Sequence, residues 1–308
     1  MGWQCSTKNC QYSRRQVFLI KYGLQKIVTI INAMTVDVED YFQVSAFESV
    51  ISRDQWEHIP SRVEINTQRI LDIFSENNIK ATFFTLGWVA ERFPDLIRRM
   101  VAEGHELASH GYLHTRVTQQ SPREFREDIC KTKHLLEDLS GVEVKGYRAA
   151  SYSIGASNLW ALDELHEAGY LYSSSIYPVK HDLYGMPEAP RFAFYPRGEN
   201  SILEIPITTL QLGNKNLPCG GGGFFRLYPY VFSRWALRHV NTVEEKPGMF
   251  YFHPWEIDPE QPRQSGIRWK TRLRHYLNLN RMEDRLKLLM DDFRWGRMDQ
   301  IFMESEHQ

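Results

Sequence analysis

The chain has 308 residues, 42% of them apolar and 24% charged, with a formal net charge of −1. This is the balance of a folded globular protein of one large or two modest domains. It excludes a wholly disordered chain, a fibrous repeat and a whole-chain electrostatic grip on nucleic acid.

Residues 1–33 are basic (Lys8, Arg14, Arg15, Lys21, Lys26) and contain no Asp or Glu. Lys21 and Lys26 interrupt the apolar run Val17–Ile31, and no small-residue cleavage site follows, so the segment does not read as a secretory signal. It is expected to be a flexible extension, with a basic amphipathic helix on a membrane surface as the alternative. Met34–Val38 then forms a short apolar strand ending in acids. Ser61–Asn78 has helical spacing, and Ala81–Leu86 is a β-rich run closed by Gly87. Pro94 opens a helix that Gly104 ends, and Glu106–Ser109 is a brief strand. Ser121 caps a long helix over Pro122–Leu139 that Gly141 stops. Gly146–Ala150 is a strand, and Asn158–Ala168 is a helix between Ser157 and Gly169. Tyr170–Ser174, Ile202–Thr209 and Met249–His253 complete the strands. Strands alternating with helices imply βαβ units and a parallel sheet, and about seven strands suit a barrel better than an open sheet. No G-x-G-x-x-G follows the first strand, which disfavours a dinucleotide fold. Gly220–Gly223 lacks the Lys-Ser/Thr of a phosphate loop and reads as a mobile flap or a turn.

No stretch approaches the roughly 18 uninterrupted apolar residues of a transmembrane helix. The four cysteines (Cys5, Cys10, Cys130, Cys219) are scattered with no CxxC pair, which points to reduced thiols in a cytosolic compartment.

In a βα barrel the active site forms at the C-terminal ends of the strands. The first strand ends in Asp37-Val38-Glu39-Asp40 and the third in Ser109-His110-Gly111-Tyr112-Leu113-His114. The next ends in Arg148, and the last in His253-Pro254-Trp255-Glu256. Acids, histidines and an arginine thus reach one rim from four strand ends. His110 and His114 are spaced i, i+4, which on a helical turn puts both imidazoles on one face, as a metal requires. Two His and one carboxylate leave a position open for water. Zinc is the default ion, with Co, Ni, Fe or Mn as alternatives.

These residues carry a specific resemblance. TVDVED (35–40), SHGYLH (109–114), GYRAASYS (146–153), SSSIYP (173–178) and FYFHPWE (250–256) resemble, in order, the five motifs of the polysaccharide deacetylases: the NodB-homology domain, carbohydrate esterase family 4. NAMTVDVEDYFQVSAFE and GGGFFRLYPY resemble the branch associated with exopolysaccharide and exosortase gene clusters. The resemblance covers about residues 33–305. It implies an α/β fold, a distorted (β/α)7-type barrel with a C-terminal helical extension. The expected organisation is an extension over 1–33, a catalytic domain over 34–256 and a C-terminal part over 257–308 packed on the barrel.

The resemblance also implies hydrolysis of N-acetyl groups from aminosugars. A metal held by His110, His114 and one carboxylate would polarise the acetyl carbonyl and its bound water. Asp37 would be the general base, Arg148 its orienting partner and His253 the general acid. A backbone N–H near Ser151 would help hold the oxyanion. Trp255 and Tyr152 would form a sugar platform, or else ordinary packing.

The sequence departs from the commonest pattern of two adjacent aspartates. Along a strand i and i+2 share a face, which favours Glu39 beside Asp37 as the metal carboxylate. A chain turn after Val38 would present Asp40 instead, and the shorter reach of Asp favours that choice. Both are kept. Ala149 and Ala150 stand where a proline is common, which puts the oxyanion donor in question more than Arg148. Glu256 is read as an orienter for a histidine or a solvated acid. The basic stretch Arg263–Arg281 is read as a solvated helix face that could instead meet an anionic polymer or a membrane.

The expected partner is an N-acetylated glycan, with peripheral association with the inner membrane or an exopolysaccharide assembly complex. The expected location is cytoplasmic, at the inner face of the membrane. The rivals are an allantoinase-like amidohydrolase on the same fold and a catalytically silent carbohydrate-binding or assembly protein.

Overall fold

A computed structural model describes residues 30–180 and 185–303. The expected extension up to residue 29, with Cys5 and Cys10, lies outside them. In chain order the elements are β1 (Ile31–Val38), α1 (Val63–Glu76), β2 (Thr82–Thr85), α2 (Gly87–Arg92), α3 (Pro94–Ala102), β3 (Glu106–Ser109), α4 (Pro122–Ser140), β4 (Gly146–Tyr147), α5 (Trp160–Glu167) and β5 (Tyr172–Ser173). There follow β6 (Leu203–Glu204), β7 (Thr209–Leu212), β8 (Lys215–Pro218), α6 (Gly222–Leu227), α7 (Tyr230–Thr242), β9 (Met249–Phe252), α8 (Trp269–Tyr276), α9 (Met282–Asp292), β10 (Arg294–Gly296) and α10 (Met298–Phe302).

The main sheet runs β10-β1-β2-β3-β4-β5-β6 with β9 also on β1, and every pairing in it is parallel. β1 is the axis. Its first residues pair with β10, its middle with β9 and its last four with β2. β2, β3 and β9 are buried along their whole length, as parallel strands under covering helices must be. α4 shows how the cover forms. Ser121 and Glu124 make a reciprocal capping box ahead of Pro122, and Phe125, Ile129, Thr132 and Leu136 supply the buried stripe. Gly141 ends the helix in the left-handed region at φ +71°.

β6 does not pair with β9, so the sheet closes by irregular hydrogen bonds. Gly220 N donates to Thr208 O (3.1 Å), and Tyr251 N of β9 donates to Gly220 O (2.8 Å). A Cβ on Gly220 would sit 2.5 Å from Met249 O, so this seam needs glycine. The run 220–223 is therefore barrel wall leading into α6, not a flap. A second difference lies at the start. β1 begins at Ile31, not Met34, because Ile31–Ala33 pair with β10 from the far end of the chain. The boundary drawn between residues 33 and 34 falls inside this strand. Among the described residues, no helix is long and apolar enough to cross a membrane.

Candidate active site

Asp37, near the end of β1, is 2% exposed. Arg148, just past β4, is fully buried and pairs with Asp37 through Nη1. The same nitrogen donates to Thr35 Oγ1 (2.9 Å). Nε and Nη2 donate to the carbonyl and hydroxyl of Ser174 (3.2 and 3.1 Å). The guanidinium lies over the Phe84 ring at 3.9 Å. A buried charge survives only when its donors are satisfied and its charge is matched, and here both conditions are met. Ser151 and Tyr152 have consecutive positive φ values (+52° each), a turn that aims the Tyr152 hydroxyl at Asp37 Oδ2 (3.4 Å).

Glu39, His110 and His114 are buried, and each offers a ligand atom within 4.8 Å of the others. Glu39 N donates to Asp37 O (3.0 Å), a tight turn that keeps both acids on the cleft side. His110 Nδ1 lies 2.8 Å from the Arg148 carbonyl. A carbonyl only accepts, so Nδ1 holds the proton and Nε2 presents its lone pair. Burial lowers the pKa of His110 to about 4, keeping it neutral. His114 Nε2 is 3.0 Å from Glu39 Oε2, yet that oxygen and His114 Nδ1 are buried without a hydrogen-bond partner. An orphaned buried carboxylate oxygen among imidazole nitrogens fits a divalent cation. The Glu39 carboxyl agrees. Burial would raise its pKa, but His114 and His253 outweigh that and bring it down to about 2.

His253, following β9, faces both groups. Its Nε2 is 4.0 Å from Asp37 Oδ2 and 3.5 Å from Glu39 Oε1. Its Nδ1 lies 2.8 Å from Glu256 Oε1, and Glu256 Oε2 accepts from Arg226 Nε at 2.6 Å. Burial would lower the pKa of His253, but the Glu256 hydrogen bond and the surrounding carboxylates raise it to about 9, so it is protonated at neutral pH. Glu256 is buried too. Burial would raise its pKa, yet Arg226 and His253 bring it down to about 2.

Three expectations change, at Asp40, at Trp255 and in the turn between His110 and His114. Asp40 is not in the metal cluster. Its Oδ1 accepts from Tyr41 N, and Oδ2 accepts from Ser61 Oγ, Arg62 N and Val63 N (2.6–3.0 Å), so it caps α1. A carboxylate whose lone pairs are spent on four donors has none left for a cation. Trp255 is not an open sugar platform. Its ring is stacked between His253 (5.0 Å) and His275 (4.2 Å), and its Nε1 donates to Glu39 Oε1 (3.4 Å). His110 and His114 do not share a helical turn. The segment bends through Gly111 (φ +75°) and His114 (φ +52°), which brings the rings to 5.2 Å. The Ser151 hydroxyl is bonded to Ser45 Oγ (2.7 Å) and ties two loops together.

Arg226 is the functional residue that sequence reasoning missed. Its signal was Gly222, where a Cβ would lie 2.3 Å from Glu256 Oε1, so the glycine run marks a close approach to a buried acid. Glu256 proves to be the buried orienter and not a solvated acid.

Residues 56–173 match the polysaccharide deacetylase family model, and residues 174–303 match a domain of unknown function, DUF3473. The peptidoglycan-N-acetylglucosamine deacetylase of Bacillus cereus is 37% identical over 99 residues, 32% of this chain and 36% of that protein. A chitooligosaccharide deacetylase of a Bradyrhizobium strain is 30% identical over 95 residues, 31% of this chain and 43% of that protein. The chain thus spans well under half the length of these curated relatives. A Mycobacterium smegmatis crystal structure, provisionally described as a polysaccharide deacetylase, superposes over 92% of both chains with a TM-score of 0.57 at 18% identity, a likeness of fold. Residues 56–173, which carry the His110–His114 and Arg148 strand ends, thus match the polysaccharide deacetylase family model, and the fold is shared along nearly the whole length of the described chain.

Proposed function

We propose that this protein is a metal-dependent hydrolase that removes N-acetyl groups from the aminosugars of a glycan. The observation that carries the reading is the orphaned Glu39 carboxylate oxygen beside His114 Nε2, with the Asp37–Arg148 pair on one side and the His253–Glu256 pair on the other. Glu39, His110 and His114 would hold a divalent cation, zinc by default, which when bound polarises the acetyl carbonyl and makes a water acidic. Asp37 takes the proton of the attacking water, and Arg148 and Tyr152 hold its two oxygens in place. The backbone at Ser151 is the group proposed to face the oxyanion. His253 enters protonated and gives its proton to the departing amine nitrogen, held in that orientation by Glu256. The names of the partial relatives, which act on peptidoglycan N-acetylglucosamine and chitooligosaccharide, support an N-acetylated glycan as substrate.

A role in exopolysaccharide biosynthesis belongs to the same proposal and rests on the motif resemblance. A cytoplasmic location at the inner face of the membrane belongs to it as well, and rests on the cysteine pattern.

The test is acetate release from N-acetylglucosamine oligomers by the zinc-loaded protein beside Asp37→Asn. Release by the wild type and not the variant is expected. No release from any N-acetylated oligosaccharide by the metal-loaded wild type would reject the reading.

A further inference from the structure

Between Gln261 and Met282 the chain carries six cations and no Asp or Glu, although the whole chain is net −1. The six are Arg263, Arg268, Lys270, Arg272, Arg274 and Arg281. All are exposed, and among the described residues none of them forms an ion pair. Trp269 is 70% exposed beside them. Cations left unmatched next to one another repel, so this concentration costs stability unless a polyanion answers it.

The underside of α8 is fixed to the catalytic centre. His275 stacks on Trp255, which stacks on His253. Arg226, which holds Glu256, also donates to the carbonyls of Arg274, His275 and Leu277 (3.3, 2.9 and 2.6 Å). The basic ledge is therefore tied through Arg226 and His275 to the residues that hold His253.

We propose that the ledge binds the acidic flank of the substrate, and that the glycan presented to Asp37 and His253 is a polyanion carrying carboxylates near its N-acetylated sugars. Guanidinium forks suit carboxylates, and the exposed Trp269 ring suits the apolar face of a sugar. A ledge bonded to the residues that hold His253 favours the molecule that must itself reach His253, which an anionic lipid surface does not. The proposal rests on the deacetylase reading for its site, but its binding arm can be read separately.

The experiment compares hyaluronan oligosaccharides, which alternate N-acetylglucosamine with glucuronate, against neutral chitooligosaccharides of equal length. It uses the zinc-loaded wild type and the Arg268→Ser/Lys270→Ser/Arg272→Ser variant. The expected result is at least about tenfold tighter binding of hyaluronan by the wild type, weakening as salt rises and lost in the variant. The variant should keep its turnover of the chitooligosaccharide. Equal binding of the two glycans by the wild type, or hyaluronan binding unchanged in the variant, overturns the proposal. Phosphatidylglycerol vesicles are the control. Vesicle binding that the variant loses while hyaluronan binding persists makes the ledge a membrane surface and overturns it too. Acetate release from neither glycan would instead reject the deacetylase reading, while the binding comparison still decides the ledge.

Discussion

The two halves of the site are held by different means. The proposed base and metal groups, from Asp37 to Arg148, sit at or just past the ends of neighbouring parallel strands, and the sheet itself sets their spacing. The proposed proton-donor side, His253 with Glu256 and Arg226, comes from the segment matched as a domain of unknown function, where one strand end is buttressed by α6 and the end of α8 with the stretch after it. The strand-end side needs the ladder and one buried ion pair, Asp37–Arg148. The donor side needs a chain of side chains in which Arg226 fixes Glu256, Glu256 fixes His253, and Trp255 is clamped between two imidazoles. On the first side one buried couple, Asp37–Arg148, is left unpaired by truncation, whereas on the second each truncation along the Arg226–Glu256–His253 chain does so.

This contrast can be broken or sharpened by substitution. On the strand-end side, Asp37→Asn removes the proposed base and should lower acetate release by about 10²–10⁴-fold with metal content unchanged, read by turnover and elemental analysis. Full activity in that variant removes Asp37 from its role. On the donor side, His253→Ala should lower turnover by at least about tenfold, again with metal retained. Unchanged turnover would sink the donor assignment.

Glu256→Gln should act through pH. The Glu256 hydrogen bond and charge raise the pKa of His253 to about 9, so the wild type should hold the proposed donor protonated up to that range and lose activity above it. Removing the charge lets the imidazolium lose its proton at lower pH. The alkaline limb should therefore move down while activity near pH 6 is largely kept, and an unmoved limb would separate Glu256 from the donor. The smallest effect is expected at Asp40. Asp40→Ala should cost about 1–3 kcal/mol of stability through the lost cap of α1. Its metal content should match the wild type, measured by denaturant unfolding and elemental analysis.

Much of this was visible in the residues themselves. Glu106–Ser109 and the helix opening at Pro122 were placed correctly because local signals decide them, a short apolar run in one case and a capping box with a stop glycine in the other. β10 was missed because Arg294–Gly296 has no strand pattern of its own. It is a strand only because Ile31–Ala33 offers it a partner from the opposite end of the chain. Period-two spacing favoured Glu39 over Asp40 but could not decide between them. The four donors that claim Asp40 lie at Tyr41 and at residues 61–63, and no local pattern announces the latter. Arg226 had no spacing relation to His253, and the glycines before it read as a flexible loop until the Glu256 carboxylate was seen packed against Gly222.

The measurement that bears most directly on the metal centre is the number of divalent ions bound per chain in the wild type, Glu39→Ala and Asp40→Ala. The account predicts close to one in the wild type and in Asp40→Ala, and loss in Glu39→Ala. Metal kept by Glu39→Ala and lost from Asp40→Ala would contradict it, as would a wild type that binds none after zinc is supplied.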